Sequence, residues 1–359
     1  MAMKFGIKQY LNGNHSWKFV GTNIAKQLIN KGHIVDCVST NGSDQIDPFI
    51  QNYIKQDLEG EYDCKISYTS FINFPKYLNN KKNRFGIWAY ETNILPEGLA
   101  KYTNFCDLVL APSNFCKDIF VNNGVKEEKV VVLRHGYDEE FINRKEIYPL
   151  KGKTFKILVN IAQPHIRKNI PDILEAYGRA FNKDDDVSLI LKVNAKKPTN
   201  PFEVNFKEEY NFYKKRFPNG ANVIIIDEYI PYISDIYRAV DCVFSMTYAE
   251  GFGLPALEGL ISNKLVIYPR STGQLDFLND NNSFLIDTVK ARADRKMQYW
   301  IPSKYATLDK PIIDSAVEKL RLAHKTFLTN KNIFKDEVNK LQEYYKWENV
   351  VEDLIGYIK

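Results

Sequence analysis

Ala249-Glu250-Gly251-Phe252-Gly253-Leu254-Pro255-Ala256-Leu257-Glu258-Gly259 follows a mainly apolar run, Val240 to Met246. The run predicts a buried parallel strand. Gly251 and Gly253 then break the pattern, so the backbone there turns sharply or approaches a ligand closely. Pro255 suits the first helical position, where a missing N–H costs nothing, and a helix is predicted from about Pro255 to Ile261. The free amides of Gly253, Leu254 and Ala256 would point beyond the strand end. With the positive end of the helix dipole behind them, they favour an anion.

Glu250 and Glu258 flank this turn, eight positions apart, too far to share a proton. Each is suited to hold a different part of one extended ligand, because a carboxylate accepts hydrogen bonds from sugar or ribose hydroxyls. Either acid alone is as well explained by a cap or a solvated helix residue. The specific signal is the combination of glycines, proline and both acids.

Outward from that stretch, the chain of 359 residues is long enough for two domains. Hydrophobic residues are 44% and charged residues 26%, a globular balance. A net charge of +5 permits weak attraction to phosphates without demanding it. Cys37, Cys64, Cys106, Cys116 and Cys242 form no C-x-x-C pair and read as free thiols of a reducing compartment. The first residues are too short and polar for a signal peptide, and no apolar run approaches membrane-spanning length. These features predict a cytoplasmic protein.

Lys4 to Ile7, a helix bearing Ile24, Ala25, Leu28 and Ile29, and Ile34 to Val38 make a strand–helix–strand opening, hence a parallel sheet. The GxGxxG fingerprint is missing after the first strand, which removes the main support for a dehydrogenase. Gly13 lies in the first loop, as a plain turn or a ligand-facing one. Glu91 directly follows a strand, at the sheet edge where open α/β folds bind ligands. Lys76 to Arg84 reads as a solvated loop or a basic lip. Gly136 reads as a tight bend, and Asp138 as a tie for the linker. A polar stretch, Glu139 to Lys153, marks a boundary. Lys156 to Ala162 restarts the strand pattern, and Arg167-Lys168 beside a helix start suits a diphosphate. Asp184-Asp185-Asp186 reads as solvated charge, and no metal site is expected.

The string Glu250-Gly-Phe-Gly-Leu-Pro-Ala-Leu-Glu258 resembles the E-x7-E signature of retaining, nucleotide-sugar-dependent glycosyltransferases, group 1 or family four-like. The resemblance extends through Trp88-Ala-Tyr-Glu91, Pro112-Ser113-Asn-Phe115 and the closing Trp347-Glu348-x-Val. It implies an α/β protein of the GT-B class, two Rossmann-like domains with parallel sheets facing across a cleft. Residues 1–149 would be the acceptor-side domain, 150–335 the nucleotide-sugar domain, and 336–359 a C-terminal helix crossing back to the first domain. Glu250 would contact the donor sugar and Glu258 the ribose. Lys168 would bind the diphosphate and, with Glu250, carry catalysis. The family often has an Arg five residues before this lysine, where Gln163 stands here, so Arg167 supplies the second charge or Lys168 acts alone. Gly251, Phe252, Gly253, Leu254 and Thr272 would line the donor phosphates, and Tyr229 and Ile230 the nucleobase. Gly13 and Glu91 would face the acceptor or the cleft, Gly13 in a loop that serves donor or acceptor. The first-domain histidine of many relatives has no evident counterpart, His15 being poorly placed.

The activity implied by the resemblance is retaining transfer of a hexosyl or pentosyl group from a UDP- or GDP-sugar to an acceptor hydroxyl, without metal or any cofactor beyond the donor substrate. A saccharide is the first expectation for the acceptor, and a modified DNA base or protein side chain the second. A catalytically silent nucleotide-sugar-binding subunit is the rival of another class.

Overall fold

The computed structural model describes residues 1–13, 15–292, 303, 305–329 and 334–359. The chain divides into two units, Met1–Asp138 with Tyr344–Lys359, and Glu139–Glu343. The first divide falls where the polar stretch begins rather than toward its end, for a packing reason. Glu140–Asn143 is helical and belongs to the second unit. Phe141 meets Tyr237 edge-on at 5.2 Å, and Arg144 Nε donates to Asp235 at 2.6 Å.

The first unit holds β1 (Lys4–Gln9), β2 (Ile34–Ser39), β3 (Cys64–Tyr68), β4 (Arg84–Ile87), β5 (Leu108–Ala111) and β6 (Val130–Val132). They form one parallel sheet in the order β2-β1-β3-β4-β5-β6. Leu108–Ala111 and Val130–Val132 are continuous apolar runs, as a doubly covered sheet favours, whereas Lys4–Gln9, Cys64–Tyr68 and Arg84–Ile87 interleave apolar with polar or glycine positions. One face packs Phe5, Ile7, Ile66 and Phe85 against Val20, Ile24 and Leu28 of the helix Ser16–Asn30. Val350, Val351 and Leu354 of the last helix, Trp347–Gly356, complete that face. The other face buries Phe71, Phe74, Trp88, Ile119 and Phe120.

The closing region is therefore split. Trp347–Gly356 belongs to the first unit, where Lys31 Nζ meets Glu352 at 2.8 Å. The preceding helix, Lys335–Tyr344, lies mostly with the second unit, and Gln342 Nε2 donates to the Ile261 carbonyl at 2.9 Å.

The second unit holds β7 (Phe155–Ala162), β8 (Val187–Val193), β9 (Asn222–Ile226), β10 (Cys242–Phe244), β11 (Leu265–Pro269) and β12 (Phe284–Ile286). Its parallel order is β12-β11-β10-β7-β8-β9. Counted within the unit, this is the mirror listing of the doubly wound order 3-2-1-4-5-6, and the chain reverses direction between β7 and β10. The helices Ile170–Ala180 and Ile313–Thr329 bury Ile173, Leu174, Tyr177, Leu320 and Phe327 against it. An antiparallel hairpin that the sequence pattern does not announce, Thr288–Arg292 with Thr307–Pro311, is appended. Among the described residues, no helix is long and apolar enough to cross a membrane.

Candidate active site

The reversal point of the second sheet brings together the loop after β7 and the loop after β10. Asn169 stitches them. It sits at φ 56°, ψ 49°, the left-handed region that asparagine tolerates better than most residues. Its Nδ2 donates to the Met246 carbonyl at 3.1 Å, and its Oδ1 accepts from the Tyr248 hydroxyl at 3.0 Å. The helix Ile170–Ala180 starts directly after it, so Arg167 and Lys168 are held in the single 3-10 turn that precedes a helix N-terminus.

Both cations converge on Glu250. Lys168 Nζ lies 2.7 Å and an Arg167 guanidinium nitrogen 2.8 Å from Glu250 Oε1. The same guanidinium nitrogen donates to the Ala249 carbonyl at 2.7 Å. Glu250 is only 8% exposed. Burial by itself would raise its carboxyl pKa, but Arg167 and Lys168 outweigh burial and bring it down to about 2. Glu250 is thus a permanent anion at neutral pH and cannot donate a proton. Next to it, His165 accepts the Arg167 amide on Nδ1 at 3.0 Å. Burial, then the two cations, push its pKa down to about 4, so the ring is neutral.

A second turn clamps the Glu250 loop from the β11 side. The Glu250 amide donates to Thr272 Oγ1 at 3.0 Å, and the Gly273 amide donates to the Glu250 carbonyl at 2.9 Å. Thr272 adopts φ 59°, ψ −157°, an unfavourable region for a β-branched residue. Its hydroxyl also donates to Gln274 Oε1 at 3.0 Å, and Gln274 Nε2 anchors on the Pro269 carbonyl at 3.1 Å. Gly273 is obligatory here: a Cβ on it would lie 2.3 Å from the Gly251 carbonyl oxygen. Gly253, at φ 98°, supplies the other turn and caps the helix Leu254–Ile261.

Glu258 lies on that helix, 8% exposed, and accepts a hydrogen bond from the Tyr237 hydroxyl at 2.6 Å. Burial and the nearby Glu258 carboxylate push the Tyr237 hydroxyl pKa well above its ordinary value, so it stays a donor. Asn160 Nδ2 donates to the same hydroxyl at 3.3 Å. Tyr237 and His165 are the site residues sequence reasoning missed. The first reads as one more apolar position on a helix face, and the second as a loop residue.

Several sequence expectations change in the structure. The Ala256 amide is not free: it donates to the Gly253 carbonyl at 3.0 Å, because the helix opens with a tight 3-10 turn. Phe252 turns into the core, 5.3 Å from the Phe277 ring, so only its backbone is left to face a ligand. Gly136 is no bend of positive φ: a Cβ there would come within 2.7 Å of the Trp347 indole, so it is a close-approach glycine. Of the basic stretch, Arg84 is spent on a bidentate pair with Asp107 at 2.7 and 3.1 Å, and Lys81 pairs with Glu61. Tyr229, 69% exposed, and Ile230 lie in the loop after β9. Leu254 opens the helix whose cap is Gly253. Gly13, at φ 91°, and Glu91 belong to the first unit, beyond the carboxyl ends of β1 and β4. His15 caps the helix Ser16–Asn30 by accepting the Lys18 amide at 3.1 Å.

No family model matches the chain. A processive diacylglycerol alpha-glucosyltransferase of Acholeplasma laidlawii is 24% identical over 195 residues, 52% of this chain and 55% of that one. The chain thus spans about half the length of the curated relative it matches. HepE of Anabaena, solved with UDP and glucose, aligns over 99% of this chain and 98% of that one, with a TM-score of 0.74 and 12% identity. The chain has the GT-B fold. A glycosyltransferase of Rickettsia africae with 17% identity gives a TM-score of 0.69 over 99% of this chain and 98% of that one. In this GT-B protein the cluster of Arg167, Lys168, Glu250 and Glu258 occupies the reversal point of the second sheet, where doubly wound folds bind their ligands.

Proposed function

We propose that the chain is a retaining glycosyltransferase that moves a sugar from a nucleotide-diphosphate sugar to an acceptor hydroxyl. The observation that carries this reading is the convergence of Arg167 and Lys168 on one buried anionic glutamate at the reversal point of the second sheet. Two cations against one carboxylate leave a local excess of positive charge beside a helix start. That suits a diphosphate. The solved relative HepE, which has been crystallised with UDP-glucose, supports a uridine diphosphate donor.

In this reading the diphosphate lies against Lys168, Arg167 and the turn of Gly251 to Leu254 with Thr272. Glu250 accepts from donor-sugar hydroxyls, and Glu258, oriented by Tyr237, accepts from the ribose. Tyr229 and Ile230 flank the base. The bond from the anomeric carbon to the diphosphate oxygen breaks, and a bond to the acceptor oxygen forms on the same face. The acceptor proton leaves with the phosphate. Charge grows on the leaving diphosphate in the transition state, and Lys168 and Arg167 answer it; such preorganised electrostatics is the usual largest contribution to catalysis. Neither a metal nor a further cofactor takes part. A saccharide is the acceptor, with Gly13 and Glu91 on its side, and the work is done in the cytoplasm. The relative named for diacylglycerol favours a lipid-borne acceptor as the second reading, ahead of a modified DNA base.

The test is transfer of labelled sugar from UDP- and GDP-sugars, in EDTA, to saccharides, diacylglycerol and hydroxymethylated DNA, with the anomeric configuration read by NMR. Retained configuration on a saccharide is the expected result. An inverted product, loss of activity in EDTA that a divalent ion restores, or labelling of the DNA alone overturns the corresponding part.

A further inference from the structure

The hairpin of the second unit starts beyond the carboxyl end of β12, the edge strand three places from β7 in the sheet. Asp287 closes its base. The Ile312 amide donates to the Asp287 carbonyl at 2.9 Å, and the Asp287 amide donates to Ser315 Oγ at 3.0 Å. Across the two strands Lys290 faces Asp309, with Nζ 2.8 Å from Oδ1. A two-stranded ribbon with one surface ion pair is marginal in water by itself. Burial on one side supplies what is missing. No residue of Thr288–Arg292 is buried, whereas Leu308, within Thr307–Pro311, is 3% exposed and the adjoining Ala306 is fully buried.

The partners of Ala306 and Leu308 are Ile166 and Tyr248. With Val204 at its border, this group is a small apolar cluster separate from the main core of the unit. Ile166 opens the 3-10 turn Ile166–Lys168. Tyr248 stands in the loop after β10, two residues before Glu250. Its amide donates to the Arg167 carbonyl and its hydroxyl to Asn169 Oδ1, both at 3.0 Å. The turn has little to hold itself in place. It is three residues long, it carries two like charges, and 3-10 hydrogen bonds are poorly aligned. Backbone bonds tie it at two points, the Ile166 amide to the Phe202 carbonyl at 2.7 Å and the Tyr248 amide to the Arg167 carbonyl. Ile166 is the one apolar side chain of the three, and it packs into the cluster that the hairpin completes.

We propose that the hairpin is a positioning arm of the donor site: Leu308 and Ala306 seat Ile166 and thereby fix where Arg167 and Lys168 are presented to a diphosphate. The inference rests on the nucleotide-sugar reading and adds to it positioning residues rooted at the far edge of the sheet. A hydrocarbon pin suits the task, because it fixes the turn without competing for either cation. Truncating Leu308 leaves a void in the cluster, and Ile166 with its turn can settle into it. The contacts of Lys168 and Arg167 to Glu250, at 2.7 and 2.8 Å, then lose their common geometry. Electrostatic binding of this kind depends on charges held in place by the residues behind them.

The experiment compares Leu308→Ala with Val187→Ala and the wild type, each as the full chain. Val187 is fully buried in the main core at the amino end of β8, away from the carboxyl edge that carries the site. Amide hydrogen exchange followed by NMR reads the turn without a ligand. The Lys168 and Asn169 amides, bonded to the His165 and Ile166 carbonyls, should exchange about tenfold faster in Leu308→Ala than in Val187→Ala. Calorimetry with UDP and with GDP on the same samples reads the consequence. Affinity for the nucleotide that binds should fall about fivefold in Leu308→Ala, stay within about twofold of wild type in Val187→Ala, and return in Leu308→Met. If Leu308→Ala does not fold, Leu308→Val replaces it, with about a twofold loss of affinity expected. Equal exchange of the turn in the two variants, or undiminished nucleotide affinity in the Leu308 variant, overturns the arm and leaves the donor reading intact. Selective loosening of the turn in a protein that binds neither nucleotide sinks the donor reading alone.

Discussion

Lys168 Nζ and Glu250 Oε1 are 2.7 Å apart, in a loop pair stitched by Asn169. The residue assigned to the diphosphate and the residue assigned to the sugar are thus one ion pair. In the proposed reading a bound donor would share its cations with Glu250, which would couple binding at the two ends of the sugar–phosphate bond.

Replacing Glu250 by Gln should destabilise the protein by about 3 kcal/mol at neutral pH, because it removes the buried anion that the partly buried Arg167 and Lys168 both meet. The effect is pH-dependent with a definite sign. The carboxyl pKa is depressed from 4.5 to about 2, so its stabilisation is present above about pH 4.5 and lost as pH falls toward 2. Urea denaturation of wild type and Glu250→Gln at pH 7 and at pH 2.5 reads this directly. An equal gap at both values would mean that the ion pair contributes nothing.

Glu258 and Tyr237 should act as one unit in binding UDP. Tyr237→Phe removes the donor 2.6 Å from the carboxylate, and Glu258→Gln removes its charge. Calorimetry on both single variants and the double variant should give a coupling of about 1 kcal/mol. Additive losses would show that Tyr237 does not orient Glu258.

At Gly273 even alanine should fail. The added Cβ would sit 2.3 Å from a backbone oxygen, which cannot rotate away as a side chain can. Forced displacement of a packed loop costs about 1–3 kcal/mol. A Gly273→Ala protein with wild-type thermal stability and UDP affinity would show that the clamp on the Glu250 loop yields freely.

Thr272 separates strain from hydrogen bonding. Thr272→Gly relieves a backbone conformation that costs about 1–3 kcal/mol but frees the Glu250 amide, whereas Thr272→Val keeps the strain and loses the acceptor. Thr272→Val should therefore be the less stable of the two and have the weaker UDP affinity. The reverse order of stability would contradict the assigned strain.

Much of this site is legible in the sequence. The glycine turn and the proline fix where a helix starts, and the strand before it fixes the edge on which Glu250 emerges. The same logic places Lys168 after β7. The illegible part depends on partners distant in sequence. Tyr237 reads as a packing residue until Glu258 is found against it. Gly136 reads as a turn because glycine serves both turns and close approaches, and only the Trp347 indole against it decides which. The divide between units differs from the sequence expectation for the same reason: Phe141 and Arg144 sit in a polar stretch, but their partners are Tyr237 and Asp235.

The central claim is that the second unit binds a nucleoside diphosphate through Arg167 and Lys168. Calorimetric titration of the wild type and of the Arg167→Ala, Lys168→Ala double variant with UDP and with GDP, in EDTA, measures it most directly. Saturable binding of one nucleotide, weakened at least tenfold in the double variant, is the predicted result. Absence of binding to both nucleotides, or equal affinity in the two proteins, would contradict it.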